Sequence, residues 1–277
     1  MKYIITIFKE HKYELLLIYF YMFVAQLLFL TEPYVIGKMI DGLIAHDYFW
    51  LYLFIGIAVF ENFFVYRRMV FDTKVYTNIY NQIVFKYLER GKDLDPSTRI
   101  ARTSMSYDII DFLENHIHYY ISAVLAVLGS FLFIFWRDPL TAFIVLSCIG
   151  PIVAIVYFFY QKIEQSTRLQ NTQFEKRAQI LTENLPERVQ TFFQRRRKIL
   201  ILGSTLQGRN WTSLNSTKNL FLILGLVVLT QGNQTISQGE AVSMFSYINQ
   251  FLASLLSIPI GVETFTRMRD VIGRIKE

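Results

Sequence analysis

The 277-residue chain has a single cysteine, Cys148, so no disulfide can form within it. Lying inside an apolar run, that thiol reads as a small core hydrophobe. Charge is scarce: 18% of the residues are Asp, Glu, Lys or Arg, against 53% hydrophobic. A Gly-x-x-x-x-Gly-Lys-Ser/Thr phosphate loop is missing, so these residues lack the usual cradle for ATP hydrolysis. Nor do the first 14 residues open a cleavable secretory signal. The apolar segment after them is too long and has no small-residue cleavage site behind it, which predicts that it stays as a membrane span.

Charge is missing above all from six stretches. Residues 15–31, 115–136, 140–161, 219–239 and 241–262 hold no Asp, Glu, Lys or Arg, and residues 48–66 hold only Glu61. A helix rising 1.5 Å per residue needs about 20 residues to cross a bilayer core of about 30 Å. Backbone groups in lipid must be satisfied within their own segment, which selects helices; the runs are continuous rather than alternating, which excludes a β-barrel. The expected fold class is therefore all-α, a polytopic membrane protein with six transmembrane helices.

Basic residues sort by side. Lys and Arg number three in the N-terminal stretch, eight over residues 67–118, eleven over 161–218 and four after residue 262. Of the 28, Lys38 and Arg137 alone fall elsewhere. The positive-inside rule then puts both termini and both long connections in the cytosol, and a bacterial cytoplasmic (inner) membrane is the expected location. The same asymmetry accounts for the net charge of +6 without nucleic acid as a partner. The lipid bilayer is the partner that it implies.

The connections alternate between short and long. About a dozen residues around 40–49, an Arg137-Asp138-Pro139 turn and a polar loop at 231–238 lie outside. Residues 71–118 and 161–218 form long cytoplasmic segments, between a cytosolic segment at 1–14 and a tail at 263–277. Neither long segment is rich in Gly or Pro, and both mix charge with apolar residues at helical spacing, as in Ile79, Ile83, Phe85 and Leu88. Each membrane helix is thus expected to continue into the cytosol, giving two helical hairpins with arms of about 36 and 43 Å. Asp95 followed by Pro96 is an N-cap with proline at the first helical position, predicting a short helix through about Arg102 that includes Arg99. Asn184 with Glu187 three residues on is a capping-box pattern, and Pro186 interrupts the preceding helix. A second short crosswise helix is expected there, carrying Val189, Phe192 and Phe193.

Local sequence carries a resemblance along nearly the whole chain. The segments concerned are Glu32-Pro33-Tyr34-Val35-Ile36-Gly37-Lys38-Met39-Ile40-Asp41, Ser106-Tyr107-Asp108 through Ile117, Trp136-Arg137-Asp138-Pro139-Leu140, Leu181-Thr182-Glu183-Asn184-Leu185 and Gln238-Gly239-Glu240-Ala241-Val242 through Tyr247. In order and spacing they resemble the transmembrane domain of the six-helix ABC exporters, without the nucleotide-binding domain that usually follows on the same chain. The resemblance implies a dimer, homomeric or heteromeric, of six-helix units whose fourth and fifth helices cross to the partner. It implies that the two short tip helices dock into a separate nucleotide-binding subunit, which alone would handle ATP; the chain itself is expected to be no enzyme and to hold no cofactor or metal. At the second tip, Pro186-Glu187 stands where the family commonly has a glycine.

Several residues invite a chemical reading. Glu61, followed by Asn62, lies mid-span, and an ionisable side chain at membrane depth marks a proton or substrate site unless it only fixes packing. Glu32 and Asp41, near the outer end of the first span, are expected to shape that helix end and meet water. Arg67 and Arg68 are expected to snorkel to headgroups. Phe192 and Phe193, followed by Arg195-Arg196-Arg197-Lys198, suit a hydrophobic groove with an acidic rim on a partner. His116 and His118 are two apart and fall on different helix faces, which argues against a shared metal. Two function classes follow: a permease subunit of an ABC transporter driven by a separate ATPase, and an ATPase-less proton-coupled transporter of peptide type on the same scaffold. A non-transporting membrane assembly or self-protection factor is a third class.

Overall fold

In the computed structural model of the chain, residues 9–90, 107, 110–183, 185–232 and 236–276 are described, and among them no strand forms. The elements are α1 (Lys12–Ile44), α2 (Phe49–Arg90), a π turn (Phe112–His116), α3 (Ile117–Arg137), α4 (Pro139–Leu146), α5 (Ile149–Glu183), α6 (Pro186–Gly232) and α7 (Gln238–Lys276). Six stretches of these helices are long and apolar enough to cross a membrane, which makes this an integral membrane protein. The 42 residues of α2 and the 47 of α6 span about 63 and 70 Å, so both run far past a bilayer core of about 30 Å.

Four of the sequence expectations change. The connection after α1 is only residues 45–48, because both flanking helices run on into the stretch read as loop. His46 takes a left-handed conformation with φ 59°, and Asp47 Oδ1 accepts the Phe49 amide at 3.0 Å to start α2. The fourth span is not continuous: it breaks at Ser147-Cys148, between α4 and α5. Pro151 explains the break, since it has no N–H for the Ser147 carbonyl and its ring crowds that carbonyl. That carbonyl takes the Gly150 amide instead, at 3.3 Å, in a tighter turn.

The third change concerns the second tip. Pro186 does open a helix, as proline at a first helical position should, but that helix is α6 itself rather than a short crosswise element. Nothing after Phe193 stops it: Gln194 through Lys218 contains no proline, and Gly203 and Gly208 cost only about 1 kcal/mol each in a helix. Glu187, Val189, Phe192 and Phe193 are therefore the first two turns of a long arm. The fourth concerns Phe192, which is buried at 6% exposure while Phe193 stays 40% exposed. Asp95, Pro96 and Arg99 of the first tip, the cap residue Asn184 and the loop residues 233–235 lie outside the described residues.

The chain divides into two compact units, Met1–Thr141 with Val228–Glu277, and Ala142–Val227. In the first, α1 packs on α2 along one side and on α7 along the other, and α3 packs along α7. Ile18 of α1 meets Val75, Tyr76, Ile79 and Ile83 of α2, with Ile110, in one apolar cluster. Those α2 positions follow an i, i+1, i+4, i+8 stripe, the face that a helix turns to its neighbour. On α3 the buried positions Ala123, Ala126, Ser130 and Ile134 share one face, and three are small. Small residues let membrane helices approach closely where apolar burial alone gives no preference over lipid. The closest approach is between α1 and α7: a Cβ on Gly37 would strike Ser243 Oγ and the Gly239 backbone, and one on Gly239 would strike the Gly37 carbonyl.

Pro33 lies inside α1 without ending it. Its own carbonyl accepts Ser243 Oγ at 2.8 Å, and the Leu30 carbonyl accepts the Tyr247 hydroxyl at 2.9 Å. Hydroxyls from α7 thus serve the backbone around a proline in lipid, where bare carbonyls would be costly.

Candidate functional site

Glu61, the mid-span acid of α2, is half-buried, and the charge acting on it is that of Glu32 on α1. The two carboxylates stand on α1 and α2, which pack against each other. That influence was not legible in the sequence, since 29 positions separate them and nothing local links them. Asn62 is exposed and donates to the Ala58 carbonyl of its own helix at 2.8 Å.

Further along α2 lies a second polar site, which sequence reasoning missed. Asp72 and His118 are both 4% exposed, and His118 Nε2 stands 3.4 Å from Asp72 Oδ2 across the α2–α3 interface. Arg68 Nε, one turn before Asp72, is 3.6 Å from the same oxygen. Both are ion-pair distances without hydrogen-bond geometry, and Arg68 Nε, Asp72 Oδ1 and His118 Nε2 make no hydrogen bond. The other imidazole nitrogen, Nδ1, is 3.3 Å from Met22 Sδ on α1. The ring lies between Tyr19 and Tyr76, at centroid distances of 5.6 and 6.4 Å. Those two tyrosines share a hydrogen bond. Nearby, Thr73 Oγ1 donates to Glu114 Oε1 at 3.0 Å.

The π turn at Phe112–His116 sets the register of this site. One extra residue per turn rotates everything after it by about 100° relative to an uninterrupted helix. His116 stacks between Phe112 and Tyr120, at 6.0 and 6.4 Å, while His118 turns inward to Asp72. The two histidines do face differently, as the spacing predicts. Arg68, read as a headgroup anchor, instead faces a buried acid. A side chain paired across helices in this way fixes α1, α2 and α3 in one register, and burying the acid is tolerable because a cation and an imidazole face it.

At the opposite, loop end of the same unit, Asp41 does more than shape the end of α1. Its Oδ2 accepts Ser237 Oγ at 2.6 Å and its Oδ1 accepts the Gly239 amide at 2.9 Å, so a carboxylate on α1 caps α7. Arg137 pairs with Glu240 across α3 and α7. A cavity of about 580 Å³ lies beside these groups, lined among others by Tyr34, Lys38, Phe133, Trp136 and Tyr247.

Six membrane-crossing helices, arms that outrun the bilayer and paired polar groups inside the packing define an integral membrane protein of transporter-like build. The chain belongs to the ABC transporter transmembrane region family, whose model matches residues 4–239. The match runs from before α1 to the start of α7. No individual curated protein matches the sequence.

Proposed function

We propose that the chain is the permease part of an ABC-type transporter, carrying a small molecule, lipid-like compound or peptide across a cytoplasmic (inner) membrane. ATP is hydrolysed by a nucleotide-binding partner outside these 277 residues. The observation that carries this reading is the family match across residues 4–239. The long arms of α2, α5 and α6 support it, because an ATPase outside the bilayer needs a lever that reaches it. The distribution of Lys and Arg supports cytosolic termini and arms.

A dimer, homomeric or heteromeric, completes the scheme. Its support is the separate unit Ala142–Val227, whose α5 and α6 keep Phe158, Leu200, Ile201, Leu202 and Ile223 exposed. At the tip, Phe193 and the Arg195–Lys198 run face the ATPase; buried Phe192 is part of the arm. The test is co-purification with a candidate ATPase and stimulation of its turnover in proteoliposomes. Phe193→Ala combined with charge reversal at Arg195–Lys198 releases that partner, while Glu61→Gln leaves ATP-driven transport intact.

Glu61, half-buried in mid-span with the charge of Glu32 acting on it, favours one other reading, proton-driven transport on the same scaffold. An ionisable side chain at membrane depth is costly unless it serves a pathway or a partner, and a neighbouring like charge favours its taking up a proton. In that case the tip variants are mild and Glu61→Gln abolishes uptake. Transport by this chain alone in ATP-free proteoliposomes with a pH gradient would decide for the second reading.

A further inference from the structure

The cavity at the loop end lies within one unit, between α1, α3 and α7, and neither reading of the energy source uses it. Its volume of about 580 Å³ is within the range of small-molecule sites, roughly 300–1,000 Å³. The walls are chiefly aromatic and apolar: Phe133 and Tyr247 stack with centroids 4.6 Å apart and planes 9° from parallel, beside Tyr34, Trp136 and Met244.

Of the two cations that line it, one has no carboxylate partner among the described residues. Asp41 is engaged by Ser237 and the Gly239 amide, and Arg137 by Glu240. Lys38 is exposed, with Nζ 5.8 Å from the Tyr34 ring centre, and among the described residues no carboxylate pairs with it. Lys38 lines this chamber near the loop end of α1, and the ends of membrane spans are where Trp and Tyr collect and lipid headgroups lie. Trp136, 91% exposed, lines it too.

We propose that this cavity binds a monoanionic amphiphile, with its hydrocarbon chain against Phe133 and Tyr247 and its carboxylate or phosphate on Lys38. A neutral ligand leaves the ammonium unmatched. A small hydrophilic anion leaves the aromatic wall unused. A cation finds Glu240 paired with Arg137 and both Asp41 oxygens already accepting hydrogen bonds from Ser237 and Gly239. A dianion gains one partner and brings its second charge toward Asp41 and Glu240. A chain with one anionic head satisfies wall and ammonium together, and the bilayer concentrates such molecules at that depth.

The chain has three tryptophans, so Trp50→Phe with Trp211→Phe leaves Trp136 as the reporter. This protein, in nanodiscs of uncharged and unbrominated phosphatidylcholine, is titrated with a dibrominated fatty acid and, in parallel, with its methyl ester. The ester measures quenching by simple partition into the bilayer. The acid is expected to give additional, saturable quenching, with apparent affinity about tenfold weaker in Lys38→Gln and restored in Lys38→Arg. A further arm incorporates brominated phosphatidylglycerol at increasing mole fraction. Saturation by the free acid alone assigns a single-chain ligand, and saturation by the phospholipid alone assigns bilayer lipid; either supports the site. Equal quenching by acid and ester, no quenching at all, or saturable quenching indifferent to Lys38→Gln overturns it.

Discussion

The two compact units are built from the same kind of apolar helix and bury it to different ends. In the larger unit, Ile18, Ile79, Ile134, Tyr247 and Phe251 are at most 2% exposed, and hydroxyls of α7 reach carbonyls of α1. Its helices are fitted to each other. In Ala142–Val227 the successive residues Leu200, Ile201 and Leu202 are 44%, 55% and 51% exposed, on an arm proposed above to lie in the cytosol. Apolar side chains in water need cover, and their own unit does not supply it. The difference separates two jobs: one unit is specified by contacts within the chain, the other by what it meets.

The comparison breaks most directly at the α1–α7 crossing. Gly239→Val puts a branched side chain where the Gly37 carbonyl already sits, and no flexible neighbour can yield. Overpacking costs about 1–3 kcal/mol where side chains can shift, and more where backbone must. Loss of the monodisperse peak in detergent size-exclusion chromatography is expected, and a normal peak would mean the crossing is looser than described. The same test on Phe192 and Phe193 separates core from surface within the arm. Phe192→Ala should cost about 3 kcal/mol and lower the unfolding temperature clearly, whereas Phe193→Ala should stay within about 0.5 kcal/mol. Equal shifts would erase the distinction between the two rings.

Smaller effects sharpen the picture. Tyr247→Phe keeps the ring and removes the bond to the Leu30 carbonyl, costing about 1 kcal/mol by chemical denaturation. Ile201→Ser with Leu202→Ser, at exposed positions, should change unfolding of the isolated chain by less than about 0.5 kcal/mol. It should nevertheless weaken dimer formation, read as reduced cross-linking in native membranes. Unchanged cross-linking would remove this face from the proposed dimer contact.

How much of this was legible beforehand follows from which interactions are local. The six spans, the break before Pro186 and the burial of Cys148 depend on composition and on neighbours in sequence, and they read correctly. The length of α6 did not, because a capping pattern marks where a helix begins and says nothing of where it ends. The break at Ser147-Cys148 had a local signal in Pro151 that the strength of the apolar run obscured. Asp72 with His118 and Asp41 with Gly239 were invisible for a different reason. Each joins two helices, and for His118 the π turn shifts the face that simple spacing would assign. Arg68 reads as an anchor only until its buried partner is known.

The cap that Asp41 places on α7 bears on how the protein is made. The donor amide of Gly239 lies 198 positions after the acceptor, so a ribosome has completed most of the remaining spans before the carboxylate of the first one meets its partner. Until then the end of α1 holds an unengaged acid, and the groove beside Gly37 stays open along its length. Docking of α7 on α1 is therefore a contact of high sequence separation, which must wait for α2 to α6 to be made. A nascent chain halted before Ser237 carries its defect in the first helix it inserted.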